Sequence, residues 1–339
     1  MALASSLAVG AGVLAAPAAH AAGLSCGDTI TANTTLTANL GPCPNNGLVI
    51  GADNIVLNLN GHTISGTPAP GDGAGVLIPG HTGVKVTNGT VTAFDGGVVI
   101  QNGGGNTVTR IVAKGNVGAS PGTLYGDGIA IEGSSGNQIT QNSALRNGPF
   151  SGIGIYQNSD SDHPFTSAPA VDNLVKNNTV QNNVACREGN FCDNDGIRIE
   201  PGVSPGNKIY TNKVTGNGLD GISLFGGVNG TNVSGNTVRN NGFNGAVPGD
   251  GIRVFGFNNT IASNIVNGNA QDGISVGRRS ISPPGSLAPP NGRDNTIKFN
   301  TATRNGVHDL YDSNIDPPCD NNRWTNNSFV VAVPASCIS

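Results

Sequence analysis

The chain repeats a triplet of asparagines in which successive asparagines lie five residues apart. Between them lie short β-prone pieces with an apolar middle residue, such as Lys208-Ile209-Tyr210 and Thr296-Ile297-Lys298. Short strands separated by turns, with a period of about 22 to 36 residues, are typical of a parallel β-solenoid. The asparagines of the series are Asn137, Asn142, Asn147; Asn173, Asn178, Asn183; Asn207, Asn212, Asn217; Asn236 and Asn241 after Thr231; Asn259, Asn264, Asn269; Asn295, Asn300, Asn305; and Asn322 with Asn327.

The constant spacing marks two sides of each coil that accept no insertion. In a solenoid each strand pairs with its copies about 4.8 Å above and below, so identical residues stack in columns. Stacked asparagine amides can satisfy one another, and we therefore assign these asparagines a structural role. Extra residues occur instead on both sides of a second motif, at 157–171, 185–194, 243–248 and 278–293. Because solenoid insertions commonly build the binding surface, we expect the functional cleft over the strands of that motif.

The second motif is an aspartate, a glycine and a short apolar alternation, which we call the DGI motif. Its copies include YGDGIAIEG, NDGIRIEPG, LDGISLFGG, GDGIRVFG and AQDGISVGR. If Ile197 and Ile199 face the core, Arg198 and Glu200 face outward. The same parity predicts one outward column of Ala130, Gly154, Arg198, Ser223, Arg253 and Ser275, and a second of Glu132, Tyr156, Glu200, Phe225, Phe255 and Gly277.

The acids of the motif form a third column, in which Ser151 fills the place of the second coil: Asp127, Asp195, Asp220, Asp250 and Asp272. An aspartate before glycine is above all a turn residue whose carboxylate caps backbone N–H groups. Stacked carboxylates also repel, by about 1 kcal/mol per pair in water and by several at an effective dielectric near 20. Arg198 and Arg253, a bound cation such as Ca²⁺, or a proton held at raised pKa would offset this repulsion. Turn caps and catalytic acids therefore both remain possible.

Charge and the amino-terminal segment indicate the setting. A net charge of -4 and an isoelectric point of about 5.6 predict no basic field for nucleic acid or an anionic membrane, whereas carbohydrate fits. Residues 1–21, ending in Ala19-His20-Ala21, resemble a secretory signal peptide, and no stretch qualifies as a membrane span. We expect a secreted monomer whose single β-helix domain covers 22–339, with caps at 22–50 and 315–339.

The six cysteines of an exported chain favour disulfides. Fifteen pairings are possible in principle, and local spacing suggests Cys26–Cys43, Cys186–Cys192 and Cys319–Cys337. A metal site is disfavoured because the cysteines are scattered and no histidine lies within ligand spacing of them. Beyond the predicted signal peptide, His62, His81, His163 and His308 stand alone.

The repeats resemble those of right-handed parallel β-helix proteins of the pectin-lyase-like and NosD-like kind, over roughly residues 45–330. The segment CGDTITANTTLTANLGPCPNNGLVIGADNIVLNLNGHTISG resembles the cap and first coils of secreted bacterial members, and DPPCDNNRWTNNSF with Cys337 resembles their closing coil. The resemblance implies an all-β, single-stranded right-handed parallel β-helix with disulfide-stapled terminal caps. It does not fix the reaction, because the superfamily contains lyases, hydrolases, epimerases and non-catalytic members.

A second resemblance concerns one coil. Asp193-Asn194-Asp195-Gly196 is similar to the NTDG element of polygalacturonases, where the aspartate before glycine is catalytic, and Asp220 occupies the place of that family's second acid. The chain departs from the pattern elsewhere: Leu219 precedes Asp220, Gly249-Asp250-Gly251 replaces a Gly-His-Gly coil, and Ile274-Ser275-Val276 replaces Arg-Ile-Lys. The similarity supports an acidic column on the substrate face.

We predict a protein that binds and cleaves a polysaccharide along the DGI strands, as a lyase or a glycoside hydrolase. The candidate catalytic residues are Asp195, Asp220, Asp250, Arg198 and Arg253; the candidate substrate-binding residues are Glu132, Tyr156, Glu200, Phe225, Phe255 and Asp272, with the aromatic rings as sugar platforms. In hydrolysis, Asp195 with Asp220 or Asp250 would supply acid and base. In β-elimination, Arg198 or Arg253 would be the base and Asp195, Asp220 and Asp250 would hold Ca²⁺, the one cofactor considered.

Two rivals belong to other classes. In a non-catalytic secreted or cell-surface binding rod, every aspartate would be a turn cap. A metal-delivery factor similar to NosD is disfavoured, because methionine, cysteine and histidine ligands are nearly absent from the repeats.

Overall fold

The computed structural model of the chain describes residues 19–20, 23–67, 73–118, 126–157, 168–186, 192–200, 205–244, 247–277, 292–313 and 318–338. These residues form a stack of parallel β-strand coils with two sheets, which we call sheet A and sheet B. A typical coil contributes one DGI strand to sheet B and two strands to sheet A. The predicted right-handed β-helix class, all-β and parallel, is confirmed.

Sheet B has 12 strands: Asp28–Ile30, Leu48–Ile50, Ala74–Pro79, Gly96–Gln101, Asp127–Glu132, Ser151–Tyr156, Asp195–Ile199, Ile222–Leu224, Ile252–Val254, Ile274–Val276, Leu310–Asp312 and Ala332–Val333. Sheet A has 20 strands: Ala19–His20, Thr34–Thr35, Leu40–Cys43, Val56–Asn58, Thr63–Gly66, Lys85–Thr92, Thr107–Lys114, Gln138–Thr140, Ser143–Leu145, Leu174–Lys176, Thr179–Gln181, Lys208–Tyr210, Lys213–Thr215, Asn232–Ser234, Thr237–Arg239, Thr260–Ala262, Ile265–Asn267, Thr296–Lys298, Thr301–Thr303 and Arg323–Thr325. One short 3-10 helix spans Pro318–Asn321.

The core is a column of branched aliphatic side chains inside the coils. In sheet A the middle residue of each three-residue strand points inward, and Val175, Ile209 and Val233 are directly stacked in register and fully buried. The two flanking residues point outward. β-Branched residues suit this position because their restricted side chains pack well against copies of themselves on a pleated surface.

The stacked columns of asparagine side chains, which we call asparagine ladders, stabilise the bends between the strands. The residue before each middle asparagine adopts a positive φ, as in Asn177 and Thr211, so the chain turns sharply there. Asn212 shows how the ladder satisfies this turn: its Oδ1 accepts hydrogen bonds from the backbone N–H of Asn178 at 2.9 Å and from the Asn178 side chain at 3.0 Å. Its Nδ2 donates to the Val175 carbonyl at 2.9 Å and to Asn236 Oδ1 at 3.0 Å. The predicted mutual satisfaction of stacked amides is confirmed.

Disulfides lie at both ends of the stack and beside one insertion. The structure joins Cys26 to Cys43, Cys186 to Cys192 and Cys319 to Cys337, the pairs expected from spacing. The segments expected as caps are themselves part of the stack, since 22–50 and 315–339 both contribute strands to the two sheets. The predicted signal peptide lies outside the described residues except for 19–20. No helix among the described residues has the length and apolar character needed to cross a membrane.

Replacing one ladder asparagine tests the capping. Asn212→Ala leaves the Asn178 N–H and the Val175 carbonyl buried without their partner, and we expect a loss of about 2 to 4 kcal/mol in the free energy of unfolding. Asn267→Ala is the matched control, because Asn267 occupies an outward strand position, and should change stability by less than about 0.5 kcal/mol. Thermal unfolding followed by circular dichroism measures both. Equal midpoints would contradict a stabilising ladder.

Candidate functional site on the DGI sheet

The strand register confirms the predicted columns on sheet B. Ala130 pairs with Gly154, Gly154 with Arg198, Arg198 with Ser223, Ser223 with Arg253 and Arg253 with Ser275. Asp127 pairs with Ser151 and Ser151 with Asp195, which places the acids of the motif in their own column. For these paired positions, the alternation of residues in the sequence therefore predicted correctly which residues share a column.

The aspartates of these columns and two of the three aromatic rings are buried in the described part of the chain. The aspartates at 127, 195, 220, 250 and 272 are at most 2% exposed, and Tyr156 and Phe255 are buried as well. The physical reason is that outward side chains pack on one another. The Tyr156 ring lies across Gly154, where a Cβ would come within 2.3 Å of the ring, so the glycine provides the space. Tyr156 also packs against Val99 and Ala130, forming an apolar outer layer.

The aspartates cap the backbone of the next coil rather than their own turns. Asp195 Oδ1 accepts a hydrogen bond from the Asp220 N–H at 2.9 Å, and Asp220 Oδ1 accepts one from the Asp250 N–H at 2.8 Å. Asp250 Oδ1 accepts from the Asp272 N–H at 3.1 Å, and Asp272 Oδ1 from the His308 N–H at 3.1 Å. One oxygen of each carboxylate is therefore structural, which leaves the second oxygen for other partners.

Two arginines lie beside the second carboxylate oxygens of the capping aspartates and compensate their negative charge. Arg253 Nη1 lies 3.1 Å from Asp220 Oδ2, and Arg198 Nη1 lies 3.7 Å from Asp195 Oδ2. Arg198 additionally pairs with Asp193 and Glu200, and Ser275 Oγ donates to Asp250 Oδ2 at 2.7 Å. Arginine and hydroxyl groups therefore offset part of the repulsion between the stacked carboxylates.

The same arginines cover the aromatic rings that were expected to be open platforms. The guanidinium carbon of Arg198 lies 4.3 Å from the Phe225 ring centre, and that of Arg253 lies 4.2 Å from the Phe255 ring centre. Arg253 is also 5.6 Å from Phe225, so the half-buried Phe225 lies between the two cations. In the described part of the chain, the Nε atoms of Arg198 and Arg253 are buried and have no hydrogen-bond acceptor.

The remaining candidates also form polar contacts. Glu132 is buried, and its Oε2 accepts a hydrogen bond from Gln101 at 2.8 Å. The Tyr156 hydroxyl donates to Asp127 Oδ1 at 2.8 Å, which commits this tyrosine to the outer layer. Among the predicted substrate contacts, Phe225 keeps the most exposure. The roles assigned to these residues from sequence remain predictions.

Burial and neighbouring charge shift three pKa values in this region. Desolvation raises the pKa of Asp195 well above its usual range, and the Asp220 carboxylate adds to that effect while Arg198 opposes it. Burial alone would lower the pKa of Arg198, but Asp193, Glu200 and Asp195 together raise it, so the guanidinium stays charged. Desolvation, reinforced by Asp127, raises the pKa of Tyr156. Asp195 is therefore the carboxylic acid best suited to carry a proton.

Sequence reasoning missed a histidine and a tyrosine at the carboxy-terminal end of the same face. Leu310 pairs with Ile274 and Tyr311 with Ser275, so Tyr311 continues the column of Arg253 and His308 occupies the position of the motif aspartate. His308 Nδ1 lies 2.8 Å from Asp272 Oδ1, and its ring stacks on Tyr311 at 5.1 Å and 12°. The sequence does contain one indication of this alignment, the distance from the last asparagine of each triplet. Leu310 follows Asn305 by five residues, as Ile274 follows Asn269.

His308 and Tyr311 differ from the aspartates in exposure. The His308 side chain is 23% exposed and Tyr311 is half-buried. Burial raises the pKa of Tyr311, and Asp272 raises it further, so the phenol stays protonated at neutral pH. The adjacent Asp309 performs the capping at this coil, since its Oδ2 accepts from the N–H groups of Val330 and Val331 at 2.9 and 3.1 Å. The His308 side chain is therefore not needed to cap the backbone of the next coil.

The oxygens of the acidic column, which were predicted as possible calcium ligands, have protein partners in this structure. Ca²⁺ takes six to eight oxygen ligands, whereas Asp195, Asp220 and Asp250 each give one oxygen to a backbone N–H. The second oxygens face arginine or serine groups. Across the described ranges no cluster of three or more histidine, cysteine, aspartate or glutamate side chains could hold a metal ion. The binding of Ca²⁺ by these aspartates stays a prediction.

The fold is shared with several solved structures. A mutant of the periplasmic alginate epimerase AlgG aligns with a TM-score of 0.57 and 15% identity over 90% of this chain and 76% of that one. Dettilon tailspike protein gp208 aligns with a TM-score of 0.54 and 21% identity over 81% of this chain and 58% of that one. The alginate lyase of Paenibacillus sp. str. FPU-7 aligns with a TM-score of 0.49 and 16% identity over 91% and 86%. At these identities the likeness concerns the fold alone.

The comparison of sequences agrees with the fold. No curated protein matches the chain in sequence. The family described as the right-handed β-helix region matches residues 25–238, from the first disulfide through the central DGI coils. Together with the parallel stack of strands, this match shows that the chain belongs to the right-handed β-helix family.

Proposed function

We propose that the protein binds a uronate-containing polysaccharide along the DGI face and cleaves it by β-elimination. The observation that carries the proposal is the partly exposed pair of His308 and Tyr311, in line with Arg253 and oriented by Asp272. Arg253 and Tyr311 lie two strands apart in one outward column, about 9.6 Å between backbones. A base and an acid thus lie on one coil and a cation lies two coils away, within the span of a bound glycan.

Each group has a part in the elimination. When the Nδ1–H of His308 donates to Asp272, the lone pair of Nε2 is left to remove the C5 proton of a uronate. Arg253, whose Nη1 lies 3.1 Å from Asp220 Oδ2, contributes positive charge on the same column and so stabilises the charge that develops on the substrate carboxylate. The C4–O bond then breaks, and the protonated Tyr311 donates its proton to the leaving oxygen.

Elimination fits the site better than hydrolysis does. A glycosidase needs two accessible carboxyl groups on either side of the scissile bond. Here the carboxylates of Asp195, Asp220 and Asp250 are buried and each caps a backbone N–H. The raised pKa of Asp195 suits a general acid, but its side chain has no exposed surface.

A non-catalytic binding rod is the second candidate. Capping of the next coil by the aspartates at 195, 220, 250 and 272 suits that function, since these acids are then explained by stability. Under this alternative the His308–Tyr311 pair would be a surface contact, and no polysaccharide would be cleaved.

A substrate panel with variants tests the proposal. The protein is incubated with alginate, polygalacturonate and a neutral glucan, and products are followed by ultraviolet absorbance and by reducing ends; alginate is included because one neighbour in fold is named as an alginate epimerase. We expect ultraviolet-absorbing unsaturated ends from a polyuronate, reduced about 100-fold or more in His308→Gln and Tyr311→Phe. Asp272→Asn should lower turnover less, because it only orients the imidazole.

The alternatives give different results in the same panel. Reducing ends without ultraviolet absorbance would indicate a hydrolase, and no product from any polymer would favour the binding rod. His81→Gln is the matched control: His81 also pairs with an aspartate, Asp53 at 2.9 Å, and lies outside the DGI face, so activity should be unchanged.

The raised pKa of Asp195 makes a separate prediction about pH and stability. Since the folded pKa exceeds the unfolded value of about 3.9, the protonated form contributes stability at low pH that is lost as pH rises through the folded pKa. Asp195→Asn keeps the acceptor for the Asp220 N–H without the buried charge. Its melting temperature should equal that of the wild type near pH 4 and exceed it by about 2 °C or more at neutral pH.

Two observations check the interpretation of that variant. Asp220→Asn is the control, because it removes the ion pair with Arg253 and should lower the melting temperature at neutral pH. A melting temperature of Asp195→Asn that is lower than wild type at every pH would contradict the raised pKa. Loss of turnover in a stable Asp195→Asn would transfer the acid role from Tyr311 to Asp195.

A further inference from the structure

The cations and acids of the chain lie on different faces. None of the 20 strands of sheet A contains Asp or Glu, whereas the DGI face holds the column of aspartates. Six basic residues lie on the outer side of the sheet A strands between 174 and 325: Lys176, Lys208, Lys213, Arg239, Lys298 and Arg323. Within the described ranges none of these six forms an ion pair with a carboxylate. The outer side of sheet A is therefore basic although the net charge of the chain is -4.

This face contains a trough parallel to the axis of the β-helix. One depression of about 450 Å³ includes Lys176, Tyr210 and Lys298, and a second of about 480 Å³ includes Lys298, Phe299 and Arg323. Because Lys298 lines both, the two depressions adjoin. Between the cations the floor is formed by Ser234 and Ala262, whose small side chains lie in the same outward column as Lys176 and Lys298.

The trough has charges at its two ends and apolar surface near them. Lys176 and Lys298 are four strand spacings apart, about 19 Å, and Arg323 lies on the strand next to Lys298. Phe299 is 55% exposed and Tyr210 is half-buried beside Lys176. Exposed aromatic rings on a groove of threonine, serine and asparagine side chains suit the faces of sugar rings, which combine apolar and hydroxyl surface.

The geometry points to a second glycan-binding surface, in which a linear polyuronate lies along this trough. Its carboxylates pair with Lys176 at one end and with Lys298 and Arg323 at the other, while sugar rings contact Tyr210 and Phe299. Nucleic acid fits less well, because a duplex presents a charge about every 1.7 Å, whereas the middle of the trough has no cation and the net charge is negative. This surface does not rest on cleavage by the DGI face.

Binding measurements on the whole secreted chain test the surface. The triple variant Lys176→Gln, Lys298→Gln, Arg323→Gln should bind polyuronate on the order of tenfold or more weakly at low ionic strength, in affinity electrophoresis or calorimetry. The matched control Lys85→Gln, Arg110→Gln, Lys114→Gln removes the same charge from sheet A outside the trough and should keep most of the affinity. Ala262→Trp, which fills the floor, should weaken binding without changing net charge.

The outcomes separate this surface from the DGI face. We expect the triple variant to cleave short oligouronates at the wild-type rate, and His308→Gln to retain binding of the long polymer at the trough. Equal losses of polyuronate affinity in the triple variant and its control would show that net charge alone governs binding. That result would contradict binding of the polymer in the trough. Equal binding of a neutral glucan, or a preference for a sulfated polymer or for DNA that the triple variant abolishes, would overturn the assigned ligand.

Discussion

The structure depends on capping the backbone N–H groups at each bend by a side-chain oxygen from the neighbouring coil. Asparagine performs this task on the sheet A side and aspartate on the sheet B side. The amide also donates, so Asn212 satisfies a carbonyl and the next amide as well as two N–H groups. A carboxylate only accepts. A column of aspartates therefore holds the coils together but leaves one charged oxygen per coil that needs a partner.

That difference explains the composition of the DGI face. Arg198, Arg253 and Ser275 each lie beside the second oxygen of a capping aspartate. The guanidinium groups that pair with these carboxylates also lie over the rings of Phe225 and Phe255. Most of the polar and aromatic residues that suggested a substrate face thus have structural partners. Among the described residues of this face, Phe225 and, at the carboxy-terminal end, His308 and Tyr311 keep accessible surface.

The periodicity of the repeats predicted the fold and the columns, and the spacing of the cysteines predicted the disulfides, but neither predicted the burial of the DGI face. Parity depends on backbone geometry alone, so Arg198 and Arg253 could be placed in one column from the sequence. Burial depends on which side chain packs over which neighbour. The repeat pattern of the sequence does not show that the Tyr156 ring covers Gly154. His308 and Tyr311 were missed because their coil reads HDLYD, in which Leu310 is the only trace of the DGI pattern. The net charge likewise could not show that sheet A is basic, since it sums over both faces.

The end of a ladder is the natural place for chemistry in such a fold. Inside the column the consecutive aspartates from Asp195 onward cap the next coil, and replacing Asp220 by a histidine would leave the Asp250 N–H without its acceptor. At the final DGI coil Asp309, one residue later, takes over the capping of Val330 and Val331. The column position is then filled by His308, whose backbone N–H is still capped by Asp272 while its ring is directed by the same carboxylate. A proton-transfer group can thus be introduced there without loss of a coil-to-coil hydrogen bond.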